Sequence, residues 1–256
     1  MANDRIPLAV QLYTLRDQIA QDFIGTVNQV AQIGYAGVEM AGYGNLKTAA
    51  EAKRALDDVG LKIVGTHVGI EALEKDINRV FDEQHALNSP TVIIPWMPEE
   101  RRADAAGWKR AAQSLSPIGA KCRERGLELC YHHHSFEFQK FNGKTGMDIL
   151  LENAEPGLVK IELDVYWLKH GGEDPVKFIG RVGGRAPLVH LKDMAAGPER
   201  RFAPVGAGTL DFRSILTAMR ESGARWGIVE QDQCYDTPPI EAVRTSFQNL
   251  QRIGVV

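Results

Sequence analysis

Short apolar segments recur along the chain, separated by longer stretches in which apolar positions return every three or four residues. The segments read LAVQLY (8–13), AGVEM (36–40), KIVGTH (62–67), TVIIPW (91–96), LELCYH (127–132), VKIELD (159–164), PLVHL (187–191) and WGIVE (226–230). Each has the length and the Val, Ile and Leu content of a buried strand. In the stretches between them, Phe23, Val27, Val30 and Ala31 share one helical face, as do Ile215, Leu216 and Met219. Gly34, Gly60, Gly126 and Gly223 each stand just before a strand, where glycine ends a helix by taking the left-handed conformation. Asp174-Pro175 and Thr237-Pro238 read as helix starts, a capping side chain followed by a residue with no N–H to leave unpaired.

Eight strands alternating with helices, about one unit per 32 residues, predict parallel strands joined by helices. Eight such units in about 250 residues match a (β/α)8 TIM barrel over residues 1–256 as a single domain. The rival arrangement is a doubly wound open sheet. No G-x-G-x-x-G follows the first strand, which weakens its dinucleotide-binding form. No linker or low-complexity stretch divides the chain.

Composition narrows the classes. With 33 acidic and 30 basic residues the formal charge is −3, which offers no general grip on nucleic acid. No apolar run of about 18 residues is present, so no membrane span is expected. The start, MANDRIPLAV, lacks the basic flank and apolar stretch of a signal peptide, and the expected compartment is the cytoplasm. Cys122, Cys130 and Cys234 are too few and too scattered for a disulfide framework or a zinc knuckle. Cys130 is expected to fill a narrow layer of the barrel.

In a barrel the chemistry sits where strands end. The ends here are polar: Glu39, His67, the run His132-His133-His134, Asp164, then His190, Lys192 and Asp193, then Glu230 and Asp232. Strand alternation turns Glu128, Cys130 and His132 toward the axis and leaves Leu127, Leu129 and Tyr131 for the helices. Asp164 shares its side with Glu162 and Lys160, His190 with Lys192, and Glu230 with Ile228. Four neighbouring strands thus aim His132, Asp164, His190 and Glu230 at one region, a mixed imidazole and carboxylate set. Such a set suits one divalent ion, with Mn²⁺ placed first, Zn²⁺, Co²⁺ and Fe²⁺ beside it, and Mg²⁺ preferring fewer nitrogens. Taken singly, Asp164 can equally cap the loop that follows, and a strand-end histidine can be structural.

These segments resemble the xylose isomerase-like TIM-barrel superfamily, the sugar phosphate isomerase/epimerase group that also includes endonuclease IV. The resemblance is carried by YHHHSFEF (131–138), ELDVYWLKHGGEDP (162–175), VHLKD (189–193), FAPVGAGTLDF (202–212) and IVEQD (228–232), with GVEMAGYG (37–44) and GTHVG (65–69) in support. It covers nearly the whole chain and is specific for the superfamily, not for a substrate. It implies a metal held by Asp164, His190 and Glu230 plus a strand-5 ligand, which is usually a glutamate. His132 matches that ligand first by position, with His134 and Glu137 as alternatives.

The implied activity is that of an isomerase or epimerase acting through an enediolate on a keto-sugar or sugar derivative, with Glu230, Glu137 and Lys192 as catalytic residues. Lys192 stabilises an oxyanion there or pairs with Asp193. The runner-up is a dehydratase or lyase on a keto-sugar, keto-inositol or 3-keto-glycoside, which the histidine-rich fifth strand favours. Glu39, His67, His134, Trp96, Trp167 and Arg201 are candidate substrate contacts, and Arg16 is a further candidate for a substrate oxygen. The GAG of FAPVGAGTLDF reads as a tight turn before a helix. The expected partner is a small sugar, with no nucleic acid or membrane, and a homodimer is an open expectation. An endonuclease IV-like nuclease is disfavoured by Trp167, which stands three residues past Asp164 where that pattern has a histidine. A non-catalytic sugar binder is the remaining reading.

Overall fold

The computed structural model describes residues 5–254; the first four residues of the MANDRIPLAV segment lie outside the described residues. Eight parallel strands close into a barrel: β1 (Leu8–Gln11), β2 (Gly37–Met40), β3 (Lys62–His67), β4 (Thr91–Ile94), β5 (Glu128–His132), β6 (Val159–Asp164), β7 (Leu188–Leu191) and β8 (Trp226–Val229). Each strand pairs with its neighbours in sequence, and β8 returns to β1 with Ala9 opposite Ile228. The open-sheet rival is thereby replaced by the closed form.

Around the barrel run α1 (Arg16–Ile33), α2 (Ala49–Asp58), α3 (Ile70–Lys75), α4 (Ile77–Leu87), α5 (Ala105–Glu124), α6 (Gly146–Asn153), α7 (Val165–His170), α8 (Pro175–Val182), α9 (Phe212–Ser222) and α10 (Pro239–Ile253). Among the described residues, no helix is long and apolar enough to cross a membrane.

The helix punctuation follows the chemistry of the caps. Gly34 and Gly223 end α1 and α9 at φ of 115° and 77°, a region closed to most side chains. The Asp174 carboxylate accepts the N–H groups of Val176 and Lys177 and opens α8 with Pro175 in its first turn. The last helix starts later than Thr237-Pro238 suggests, at Pro239. Thr237 N–H is used in a turn to the Cys234 carbonyl, and Pro238 is held extended because a proline follows it.

Inside the barrel, side chains sort by level. Ala9, Val64, Ile93, Cys130, Leu188 and Ile228 form a dry plug, and Cys130 fills this layer as its size suggests. One step toward the strand ends the layer is polar and still buried, with Gln11, Glu39, Glu162 and His190. The opposite faces of the strands (Leu8, Val10, Leu129, Tyr131, Ile161, Val189) join the main core against the helices. The plug closes the floor of the barrel, so polar groups above it meet water only through the mouth.

Candidate metal centre

The strand ends bring two sets of donors together. In the outer set, one atom each of His132, Asp164, His190 and Glu230 lies within 4.8 Å of the others, and all four residues are buried. Each is held there by its own strand. His132 ends β5, with Nδ1 3.1 Å from the Pro95 carbonyl and Nε2 3.4 Å from Asp164 Oδ2. Donating Nδ1–H to Pro95 leaves the Nε2 lone pair facing the set. Burial, reinforced by the charges of His190 and Lys192, holds His132 well below the usual imidazole range, so the ring is neutral and fit to ligate. Asp164 does two jobs at once. Its Oδ1 accepts Trp167 N–H at 3.0 Å and caps α7, while Oδ2 faces the set.

The inner set is Glu39, His67, Glu162 and His190. Glu39 Oε1 lies 2.6 Å from Gln11 Nε2, 2.8 Å from His190 Nε2 and 3.0 Å from His67 Nε2. Glu162 Oε2 lies 3.2 Å from both histidines. The other oxygens, Glu39 Oε2 and Glu162 Oε1, are buried without a protein partner. Glu39 and His67 are bound to each other electrostatically. Burial works against both charges, but His190 and His67 hold Glu39 well below the carboxylate range, and Glu39 and Glu162 bring His67 up to about 9.

His190 is common to both sets. Its Nδ1 lies 2.8 Å from Glu230 Oε2 and 3.9 Å from Asp164 Oδ2, its Nε2 against the inner carboxylates. The ring is fully buried, and the charges of Glu162 and Glu39 outweigh that burial and raise it well above its ordinary value. The Lys192 ammonium completes the outer set. It lies 2.6 Å from Glu230 Oε2, 3.0 Å from Asp232 Oδ2 and 3.1 Å from Asp164 Oδ2. Against burial, those three carboxylates hold it well above the usual lysine value. Lys192 does not pair with Asp193, which turns away and accepts four backbone N–H groups, from Met194, Gly206, Gly208 and Leu210. These bonds fold the GAG turn ahead of α9.

The outer set opens on a cavity of about 370 Å³ at the barrel mouth, walled by Tyr13, Ala41, His67, Pro95, Trp96, His132, His134, Lys192, Glu230 and Asp232. A metal fits the outer set on chemical grounds. Two imidazoles and two carboxylates supply four donor atoms of the type that bind a divalent ion, and three of the residues (His132, Glu230 and, through Lys192, Asp164) stand at or beside the cavity.

The other anticipated contacts fall at different depths. His67, His134 and Trp96 line the cavity, and Trp96 is 49% exposed. His134 is kept neutral, its pKa pushed down to about 3 by burial, and its Nδ1 has no partner. Trp167 is not among the cavity walls. It packs beside His134, with ring centres 5.4 Å apart, and lies over the Lys192 ammonium. Glu39 is wholly buried beneath His67 and His190 and is not among the cavity walls. Glu137 is buried in the wall, where its carboxylate accepts Tyr131 O–H at 2.7 Å and His134 N–H at 2.9 Å. Arg201 is exposed, paired with Glu199 at 2.6 Å and stacked over Tyr235. Arg16 donates to the Tyr13 carbonyl and stacks over the Tyr13 ring. Tyr13 and Gln11 are additions to the sequence reading, and Asp232 and Glu162 stand in it as strand-end and inward-facing residues without an assigned role. Gln11 and Glu162 carry the same parity signal that marked their neighbours, since Gln11 is two residues beyond Ala9 and Glu162 two before Asp164.

A closed parallel barrel with a buried imidazole and carboxylate cluster at its mouth defines the class of protein. The family model for the xylose isomerase-like TIM barrel matches residues 27–253, and the chain belongs to that family. An inosose dehydratase of Lacticaseibacillus casei is 30% identical over 143 residues, covering 49% of this chain and 47% of that one. The chain thus spans about half the length of the first curated relatives it matches. Among solved structures, a sugar phosphate isomerase/epimerase of Parabacteroides distasonis superposes with a TM-score of 0.85 at 24% identity, over 100% of this chain and 96% of that one. The IOLI protein with a bound zinc atom superposes with a TM-score of 0.73 at 14% identity, over 97% and 98%.

Proposed function

We propose that the protein is a divalent-metal-dependent enzyme that removes the proton beside the carbonyl of a keto-sugar or keto-inositol, and that elimination of water or an alkoxide follows. The observation that carries this reading is the outer set of His132, Asp164, His190 and Glu230, four buried donors beside a cavity that also presents an acid and a carboxylate. A bound ion would supply Lewis-acid polarisation of the substrate carbonyl. The zinc in the IOLI structure supports the set as a metal site, and manganese and zinc are the two ions to test first.

The remaining roles follow from charge and placement. Asp232 lines the cavity, and burial raises its pKa above the ordinary carboxylate value, which makes it the best base on the wall for the α-proton. Lys192 stays charged beside it and stabilises negative charge developing on the substrate oxygen. His67 faces the cavity and is held protonated by Glu39, so it hands a proton to the departing hydroxyl as the C–O bond breaks. The α-proton goes to Asp232, the electron pair forms the new C=C bond, and the hydroxyl leaves as water.

Elimination is preferred to isomerisation or epimerisation on one observation. Exchange between two faces of a sugar by a pair of carboxylates would need Glu137 opposite Asp232, and Glu137 is turned into the wall against Tyr131 and His134. The inosose dehydratase relative points the same way.

The test combines metal analysis with NMR in D₂O on a keto-inositol and a 3-keto-glycoside. Wild type should retain about one divalent ion per chain, and Asp164→Asn should lose it. The loaded enzyme should exchange the α-proton and release a conjugated enone. Wild-type metal content in the variant refutes the site. Exchange without enone, with inversion at the α-carbon, would establish the epimerase reading instead.

A further inference from the structure

We propose that Glu39 is a positioning residue that fixes His190 with its hydrogen on Nε2 and its Nδ1 lone pair toward the outer set. The inference rests on the metal reading above and assigns Glu39 a part in it other than touching substrate.

An imidazole that ligates an ion through one nitrogen keeps a single N–H on the other, and both nitrogens of His190 face carboxylates. With the hydrogen on Nε2, it is donated to Glu39 Oε1 at 2.8 Å, and the Nδ1 lone pair faces Glu230 Oε2 at 2.8 Å and Asp164 Oδ2 at 3.9 Å, where an ion shared with those carboxylates would offset their repulsion. With the hydrogen on Nδ1, the Nε2 lone pair faces Glu39 Oε1 at 2.8 Å and Glu162 Oε2 at 3.2 Å in a fully buried layer. Those two contacts are then repulsive, and no solvent reaches them. The first arrangement is therefore enforced from below.

Glu39 is itself held from two sides. It stands opposite Gln11 in the β1–β2 register, and Gln11 Nε2 donates to the same Oε1 at 2.6 Å. Gln11 cannot flip, because its Oε1 accepts Tyr13 N–H at 3.0 Å. A chain of oriented groups thus runs from the cavity wall at Tyr13, through Gln11 and Glu39, to His190. Glu39 Oε1 also lies 3.0 Å from His67 Nε2, so one carboxylate orients the ring that serves the metal and the ring that faces substrate. An outer partner of this kind on a metal-bound histidine is worth about 10–100-fold in metal affinity.

The experiment uses the full chain loaded with Zn²⁺ or Co²⁺. Chelator competition should show Glu39→Gln weakening metal binding about 10–100-fold, with an altered Co²⁺ absorption spectrum, while Asp164→Asn removes binding. If Asp164→Asn binds as wild type, the metal reading itself falls. If Asp164→Asn loses the ion while Glu39→Gln keeps wild-type affinity and spectrum, only the role of Glu39 falls. Should Glu39→Gln fail to fold, long-range ¹H–¹⁵N correlation on Zn²⁺-loaded wild type decides. Protonated Nε2 with metal-bound Nδ1 on His190 supports the proposal, and the reverse, an ion held by the inner set, overturns it.

Discussion

Replacing Lys192 by methionine removes the one ammonium in a ring of carboxylates while keeping most of the side-chain volume. Lys192 is 1% exposed, and its Nζ lies 2.6, 3.0 and 3.1 Å from Glu230, Asp232 and Asp164. Taking one partner out of a buried ion pair typically costs about 3–5 kcal/mol, because the remaining charge is stranded. In a chain of this size that is a fall of roughly 6–20 °C in melting temperature. The oxygens it contacts on Glu230 and Asp164 are the same Oε2 and Oδ2 that face His190 and His132. In wild type an incoming ion must therefore compete with the ammonium, whereas in Lys192→Met it finds the carboxylates unneutralised.

Metal should accordingly stabilise the variant more than the wild type. At a free concentration of 100 times Kd, binding adds about 2.7 kcal/mol, so a large part of the loss returns. The assay is thermal and urea unfolding of both proteins in chelator and in excess Mn²⁺ or Zn²⁺. A metal-free variant as stable as wild type within about 0.5 kcal/mol, or an equal metal-induced shift in the two proteins, would refute the reasoning.

Two further outcomes are expected, beside those already set out for Asp164→Asn and Glu39→Gln. Burial pushes the Glu137 carboxyl up to about 7, so the folded chain holds a proton that the unfolded chain gives up near 4.5. That contribution is fully present below the unfolded value and is lost as pH rises through the folded one. Glu137→Gln should flatten the decline in urea-measured stability between those limits, a difference of up to about 3 kcal/mol, and an unchanged slope would count against it. Asp193→Ala strands the amides of Met194, Gly206, Gly208 and Leu210. It should cost about 1–3 kcal/mol and speed hydrogen exchange at Gly206, Gly208 and Leu210, leaving the barrel amides protected.

The sequence alone determined the barrel and most of the polar side chains that gather at its mouth. Eight apolar segments at regular spacing, glycines at helix ends and polar strand ends are local signals, because a strand's parity and a helix's cap depend on residues a few positions apart. Parity turned His132, Asp164, His190 and Glu230 inward, and it correctly gave Cys130 to the plug. Only the closed tertiary structure decided how deep each group lies and which partner it meets. Glu39 and His190 are far apart in sequence and 2.8 Å apart in space, and Glu39 sits beneath the histidines instead of at the rim. The 3₁₀ turn after β5 brings Glu137 back onto Tyr131, a partner that strand parity does not indicate. Lys192 had an acidic neighbour in Asp193, yet three carboxylates from β6 and the end of β8 claimed it, while the backbone of the next loop claimed Asp193. In each case the outcome depended on competition between partners brought together by barrel closure, and pairing strengths across the barrel are set by distance and burial, which a linear pattern does not contain.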